Sequence, residues 1–274
     1  MSKLQGRVAL VSGSGRGIGL AIARKLAADG ASVVINDLDA GPAEQAVEAI
    51  RAAGGSATAC VGSVTAEGFA ERFVATAIDT YGGLDIIVNN AGYTWDNVIQ
   101  KMDDHQWDSI IDVHLKAPFR ILRAATSFIR ERSQEEAARG EERFRKVVNI
   151  SSTSGVFGNA GQVNYAAAKA GINGLTRAMA KEWGRYKVCV NSVAFGLIRT
   201  RLTEASATGD AKIDIEGRQI KVGVNPQVLE NVEKLIPLGR AGTTEEAAGA
   251  VYLFCIPESN YVSGQVLVVG GGRP

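Results

Sequence analysis

Tyr165 and Lys169 stand four residues apart in the run NYAAAK (164–169), with only alanines between them. On a helix, residues at this spacing are neighbours. Ionising a free phenol of pKa near 10 at neutral pH costs about 4 kcal/mol. An ammonium at ~4 Å in an effective dielectric near 20 supplies an attraction of about that size. The spacing therefore leads us to expect Lys169 to bring Tyr165 within range of proton exchange with an alcohol. The alanines leave room beside the pair for a flat cofactor and a substrate. Taken alone, the pair is better read as a packed tyrosine beside a snorkelling lysine.

A second chemical signal lies near the N-terminus, in SGSGRGIG (12–19). Gly13 permits a sharp turn, Gly17 lets the backbone approach a pyrophosphate, and Gly19 allows close helix packing. The helix that follows offers unpaired N–H groups to an anion. An acid, Asp37, closes the next apolar run, where a carboxylate can accept both adenosine-ribose hydroxyls. It would repel a 2′-phosphate by about 3 kcal/mol at ~5 Å and a dielectric near 20. Arg16, inside the glycine loop, could instead grip that phosphate, but position 38 is Leu and offers no second cation. The expected cofactor is NAD(H) in preference to NADP(H).

These residues need a scaffold. Short apolar, β-branched runs recur at 7–13, 32–37, 56–62, 84–90, 146–151, 188–194 and 265–271. Runs of this kind suit strands buried on both faces. Between them lie alanine-rich segments of helical spacing. In GIGLAIARKLAADG, Ile18, Ile22 and Leu26 form one stripe and Gly30 ends it. Strand and helix in alternation predict one α/β domain over 1–274, a doubly wound parallel sheet with helices on both faces. Two segments break the rhythm. The charged run 130–146 reads as a solvated helical extension. The polar stretch 203–235 follows a strand's C-terminal end and reads as a substrate lid.

Composition narrows the function classes. Thirty basic and twenty-nine acidic residues leave a net charge of +1, which recruits neither nucleic acid nor an anionic membrane. Cys60, Cys189 and Cys255 form no CxxC, and only His105 and His114 could assist them, so no metal site is expected. They read as reduced thiols in or near a core. No signal peptide and no long apolar span is evident, and a cytoplasmic protein is expected.

Three further motifs complete the set. Ser152, in NISSTSG, stands thirteen residues before Tyr165; NNAG (89–92) ends the fourth apolar run; NSVAFGLIRT (191–200) ends the sixth. Together these motifs resemble the short-chain dehydrogenase/reductase family in its compact, single-domain branch, from Gly6 to Gly272. The resemblance implies a Rossmann-like sheet of order 3-2-1-4-5-6-7 and a homo-oligomer, tetramer or dimer. It implies that Gly13, Gly17 and Gly19 are cofactor glycines, with Ile18 offering its backbone to the pyrophosphate and Asp37 holding the adenosine ribose. Ser63 and Val64 would lie at the adenine, and Asn90, Ala91 and Gly92 would line the adenosine side. Ile198 and Thr200 would hold the carboxamide. Ser152 would bond the substrate oxygen and Tyr165 act as general acid/base. Lys169 would bind the nicotinamide ribose and lower the phenol's pKa.

The sequence departs from the family pattern at three positions. His114 stands where the family usually has a relay Asn, and reads equally as a relay or as a structural residue at a helix bend. Ser63 stands for an Asp, and Phe195 for the proline of a Pro-Gly turn. The stretches 159–182 and 236–255 resemble 3-oxoacyl-carrier-protein reductases. VVINDLD and DVHLK look like NAD-dependent 3-hydroxyacyl-CoA dehydrogenase domains. The expected activity is thus interconversion of a 3-oxoacyl thioester, on acyl carrier protein or CoA, and its 3-hydroxy form. Dehydrogenases of secondary alcohols, steroids or sugars are the rival class. A non-catalytic NAD sensor is a remoter one, against which the Tyr165–Lys169 pair stands.

Overall fold

The structure is a computed structural model that describes residues 2–200, 212–215, 217–221 and 226–273. Seven parallel strands form one sheet: β1 (Val8–Val11), β2 (Ser32–Ile35), β3 (Ser56–Ala59), β4 (Ile86–Asn89), β5 (Arg145–Ser152), β6 (Val188–Phe195) and β9 (Val266–Val269). Their order is β3-β2-β1-β4-β5-β6-β9, the expected one, with the last strand numbered after an intervening hairpin, β7 (Lys212–Ile215) and β8 (Arg218–Lys221).

Each strand's side chains alternate between two cores. Ala9, Val11, Ile86 and Val88 pack on one face with Ile22 and Leu26 of α1 (Gly17–Ala28) and Val251 of α9 (Thr244–Leu253). That layer also holds Val47 and Ile50 of α2 (Ala40–Ala52). Leu10, Ile87 and Val190 face the other way, against Phe73 of α3 (Phe69–Tyr81), Ile121 of α5 (Ala117–Ala138) and Trp183 of α7 (Val163–Trp183). The central strands β1, β4, β5 and β6 are buried throughout, whereas the edges β3 and β9 are only partly so. Cys60, Cys189 and Cys255 are buried free thiols.

Strand β1 pairs with β2 on one side and β4 on the other, so the chain's direction of winding switches there. A crevice opens at the strands' C-terminal ends at such a point. Helix α4 (Asp104–Ile111) runs into α5 through a wide, π-type turn at Asp112–Lys116, in which Ala117 N–H reaches the Asp112 carbonyl. Pro118 has no N–H to give the carbonyl of His114, four residues back, which accounts for the widened turn.

One expectation is corrected. The charged run 130–146 is helical only to Ala138 and is not wholly solvated: Arg145 and Glu136 form a buried bidentate pair at 2.6 and 2.9 Å. Arg143, with Arg7, closes on buried Asp85. In the stretch 203–235, the described part forms the β7–β8 hairpin and α8 (Pro226–Lys234). The rest of that expected lid, 203–211, 216 and 222–225, lies outside the described residues. Among the described residues no helix is long and apolar enough to cross a membrane.

Candidate active site

One cavity of about 670 Å³ follows the C-terminal ends of the strands and joins almost every residue singled out above. At one end is the glycine turn. Gly13 has φ +61°, and a Cβ on it would lie 2.8 Å from Ala91 Cα. A Cβ on Gly19 would lie 2.1 Å from the Gly13 carbonyl oxygen. The turn is thus folded more tightly than side chains permit. Helix α1 starts from Arg16 with no side-chain cap, so its first N–H groups face the cavity unpaired by any capping side chain.

The walls of this end are stapled from within. Asn36 Oδ1 accepts from Gly13 N–H at 3.0 Å, and its Nδ2 donates to the carbonyls of Cys60 and Gly62. Asn90 Nδ2 donates to the carbonyls of Ser12 and Gly13. Ser12 Oγ accepts the N–H groups of Asn90 and Ala91, both at 3.0 Å. Asn90 therefore holds the turn's shape, and with Ala91 and Gly92 it lines the cavity. Ser63 and Val64 line the same end; the Ser63 hydroxyl is paired with that of Thr65 at 2.8 Å.

Asp37 is buried at the end of β2, where it accepts from Arg16 Nη2 at 3.2 Å and from Asp39 N–H at 3.1 Å. The same Arg16 nitrogen reaches Asp39 Oδ2 at 2.7 Å. The guanidinium thus lies between two carboxylates. A tight glycine cradle, an uncapped helix start and a buried acid beside them fit a dinucleotide.

At the other end, Ser152 closes β5 and Tyr165 and Lys169 sit in the first two turns of α7. Asn164 anchors the start of that helix through Nδ2, which donates to the carbonyls of Trp95 and Gln106. Ser152 Oγ accepts from Ser154 N–H at 3.1 Å, which leaves its own proton for another acceptor. Lys169 is buried and its Nζ donates to the Ile150 carbonyl at 2.6 Å, 5.6 Å from the Tyr165 ring centre. Ile198, bridged to Gly242, and Thr200 line the cavity here. Phe195 stays in the sheet, in register with Ser152 and Val269, so the absence of proline keeps β6 paired to its end.

The electrostatics differ from those expected. Burial pushes the Tyr165 phenol up to about 12; the Ser152 hydroxyl pulls it down and the Asp96 charge pushes it up further. Burial brings the Lys169 ammonium down to about 7. Lys169 is thus a neighbour of the phenol, as the spacing implies, without the lowering expected of it. Loss of solvation is the largest influence on both groups.

His114 sits in the wide turn, buried, with Nε2 2.7 Å from the Tyr93 carbonyl oxygen. Its ring meets that of Tyr165 edge to face at 5.0 Å. Burial, with the Lys169 charge, holds its pKa well below the usual 6.5 against the opposing Tyr93 bond. The neutral ring therefore donates through Nε2, and Nδ1 is a buried acceptor with no hydrogen-bond partner among the described residues. The structural role considered for it fits its place in the wide turn, and the relay role fits its place beside Tyr165.

Sequence reasoning passed over Asn36, Asp96, Gln162 and Asn164. Asn36 adjoins Asp37 and Gln162 and Asn164 flank Tyr165, so closeness to a motif was the available signal.

Comparison with known proteins agrees with this geometry. The sequence pattern described as short chain dehydrogenase matches residues 7–211. The hydroxyacyl-CoA dehydrogenase ChsB1 of Mycobacterium tuberculosis is 38% identical over 265 residues, 95% of this chain and 80% of that protein. The 3-oxoacyl-[acyl-carrier-protein] reductase FabG of Thermotoga maritima is 33% identical over 270 residues, 98% of each chain. A crystal structure of a putative gluconate dehydrogenase from Agrobacterium tumefaciens superposes with a TM-score of 0.82 at 34% identity, covering 98% of this chain and 96% of that one. The chain belongs to the short-chain dehydrogenase family of oxidoreductases.

Proposed function

We propose that this protein is a cytoplasmic, NAD(H)-dependent oxidoreductase that interconverts 3-oxoacyl and 3-hydroxyacyl thioesters. One observation carries the reading: Ser152, Tyr165 and Lys169 meet at one end of a cavity whose other end is the glycine turn and Asp37. The bound dinucleotide supplies the hydride in reduction and accepts it in oxidation. Tyr165 gives its phenolic proton to the carbonyl oxygen, and Ser152 donates a hydrogen bond to the same oxygen as negative charge builds there. A phenol held at about 12 is protonated at neutral pH, the state reduction requires. Lys169, on the Ile150 carbonyl, has further protons with which to hold a ribose hydroxyl.

Two arguments narrow the reading. Arg16 is already compensated by Asp37 and Asp39, and a 2′-phosphate would meet both carboxylates, which favours NAD(H). The thioester class is supported by two relatives, one named for an acyl-carrier-protein substrate and one for a CoA substrate. The putative gluconate dehydrogenase supports a second reading, oxidation of a sugar acid or other secondary alcohol. A homo-oligomer is supported by exposed Leu253 and Tyr261 and by the partly exposed edge strand β9. The test is steady-state reduction of acetoacetyl-CoA with NADH and with NADPH, beside a panel of gluconate, steroids and polyols. The expected result is turnover of the thioester with higher kcat/KM for NADH. Turnover confined to the sugar acid, steroid or polyol substrates would overturn the thioester assignment.

A further inference from the structure

Gly155 ends the NISSTSG run and lies in the seam between the strand that carries Ser152 and the helix that carries Tyr165 and Lys169. Ser152 closes β5 and is also the N-cap of a five-residue helix, α6 (Thr153–Phe157), whose Ser154 N–H its hydroxyl accepts. Gly155 is the third residue of α6 and rests on the backbone of α7. A Cβ there would lie 2.5 Å from C and Cβ of Lys169 and 2.8 Å from the Ala170 nitrogen. Its φ is not left-handed, so space alone excludes a side chain. Beside it, Ser151 Oγ donates to the Lys169 carbonyl at 3.1 Å, and Lys169 Nζ to the Ile150 carbonyl at 2.6 Å. The two sides of this seam are held unequally. Helix α7 is anchored along its length: Asn164 Nδ2 donates to the Trp95 and Gln106 carbonyls, Ser192 Oγ to Asn173 Oδ1, and Asn149 Nδ2 to Thr176 Oγ1. No residue of α6 is buried. A side chain forced into the seam therefore moves α6, and with it the Ser152 hydroxyl that caps it, while α7 stays in place.

We propose that Gly155 is a positioning residue: with the Ser151–Lys169 bond beside it, it sets the separation of the Ser152 hydroxyl from the Tyr165 phenol. This rests on the function proposed above, in which those two groups share one substrate oxygen. Groups that converge on one atom must be held within about 0.5 Å of the productive geometry. Carbon atoms pack at about 3.5 Å or more, so a methyl group on position 155 drives α6 off α7 by about 1 Å. A displacement of that size costs up to about a hundredfold in rate. The effect runs through Ser152, since Tyr165 and Lys169 belong to the firmly held helix. Dinucleotide binding, which uses the glycine turn, Asp37 and Lys169, is left intact.

The experiment compares Gly155→Ala with Ser151→Ala, which loosens the seam without adding volume. The control is Gly174→Ala, at an exposed position of α7 where an added Cβ meets nothing within 4 Å. NADH binding is followed by fluorescence, and acetoacetyl-CoA reduction is expressed per NADH-binding site, so protein that fails to fold is not counted. Gly155→Ala is expected to lower kcat about tenfold or more with the Kd for NADH kept within about twofold. Ser151→Ala is expected to lower kcat several-fold, and Gly174→Ala to leave it unchanged. Repeated on Ser152→Ala, the Gly155→Ala change is expected to add less than about twofold, because the group it acts through is gone. A glycine that only permits folding would reduce the number of binding sites and leave turnover per site alone. In crystals of Gly155→Ala, the distance from Ser152 Oγ to the Tyr165 hydroxyl is expected to change by about 0.5 Å or more with α7 superposed. Unchanged turnover per site in those of Gly155→Ala and Ser151→Ala that fold, an undiminished loss on Ser152→Ala, or an unchanged distance overturns the proposal. The crystal distance needs no substrate, so it tests the positioning role even where the thioester assignment fails.

Discussion

Arg16 sits 3.2 Å from Asp37 and 2.7 Å from Asp39, and under the function proposed above this small cluster would set which dinucleotide the cleft prefers. Replacing Asp37 by serine would remove a buried negative charge from the place proposed for the adenosine ribose and leave Arg16 with one carboxylate. Partial solvent screening reduces the ~3 kcal/mol of bare repulsion, so kcat/KM for NADPH relative to NADH is expected to rise about tenfold. Steady-state rates with both cofactors check this, and an unchanged ratio would show that Asp37 does not face the ribose. The parts of the site were legible at this scale, because a four-residue spacing fixes which side chains share a helical face. Their electrostatics were not. The spacing argument counted the attraction between Lys169 and Tyr165 and left out the solvation both lose. That loss depends on how the assembled fold encloses both groups, which a local motif does not report.

The wide turn at 112–116 is the element that brings a second ring to Tyr165. It works only because position 92 lacks a side chain: a Cβ on Gly92 would lie 2.0 Å from His114 Cε1. Gly92→Ala is therefore expected to destabilise the protein by about 1–3 kcal/mol and to lower turnover as the imidazole is displaced. Adding His114→Ala should recover part of the stability, and denaturant midpoints of the two single variants and the double give the coupling. Strictly additive losses would mean the ring moves aside without strain. The strands were legible as short runs rich in apolar and β-branched residues separated by helical segments, while their order was what the family resemblance implied. The turn was not, since a single wide turn inside a helix has no motif of its own; Pro118 was the available signal. The β7–β8 hairpin was missed because its strands hold only three apolar residues, Ile213, Ile215 and Ile220, within a long polar stretch.

Across the whole molecule, the end of the sheet opposite the cavity is closed by ions. Burial pushes the Asp85 carboxyl up. The Arg143 bond and charge, the Val8 N–H and the Arg7 charge outweigh burial and hold its pKa below the usual 3.8. A carboxylate depressed in the folded state stabilises it fully above its unfolded pKa, and the contribution fades as pH falls through the folded value. Asp85→Asn should therefore cost about 1–3 kcal/mol at neutral pH, since Arg7 and Arg143 remain partly solvated, and progressively less toward about pH 3 and below. Denaturant unfolding at several pH values checks the slope; a cost independent of pH would mean the pair contributes packing and no charge. The run 130–146 looked solvated because its charges are dense in sequence, and only the sheet's geometry brings Arg143 and Arg145 to buried acids.

The account depends above all on Tyr165 as the group that passes a proton to and from the substrate oxygen. Its most direct test is reduction of acetoacetyl-CoA by NADH with the unaltered protein and with Tyr165→Phe, beside NADH binding by fluorescence. The account expects NADH to bind both with similar affinity while turnover falls by about 10²-fold or more in the variant. Turnover by Tyr165→Phe close to that of the unaltered protein would contradict it.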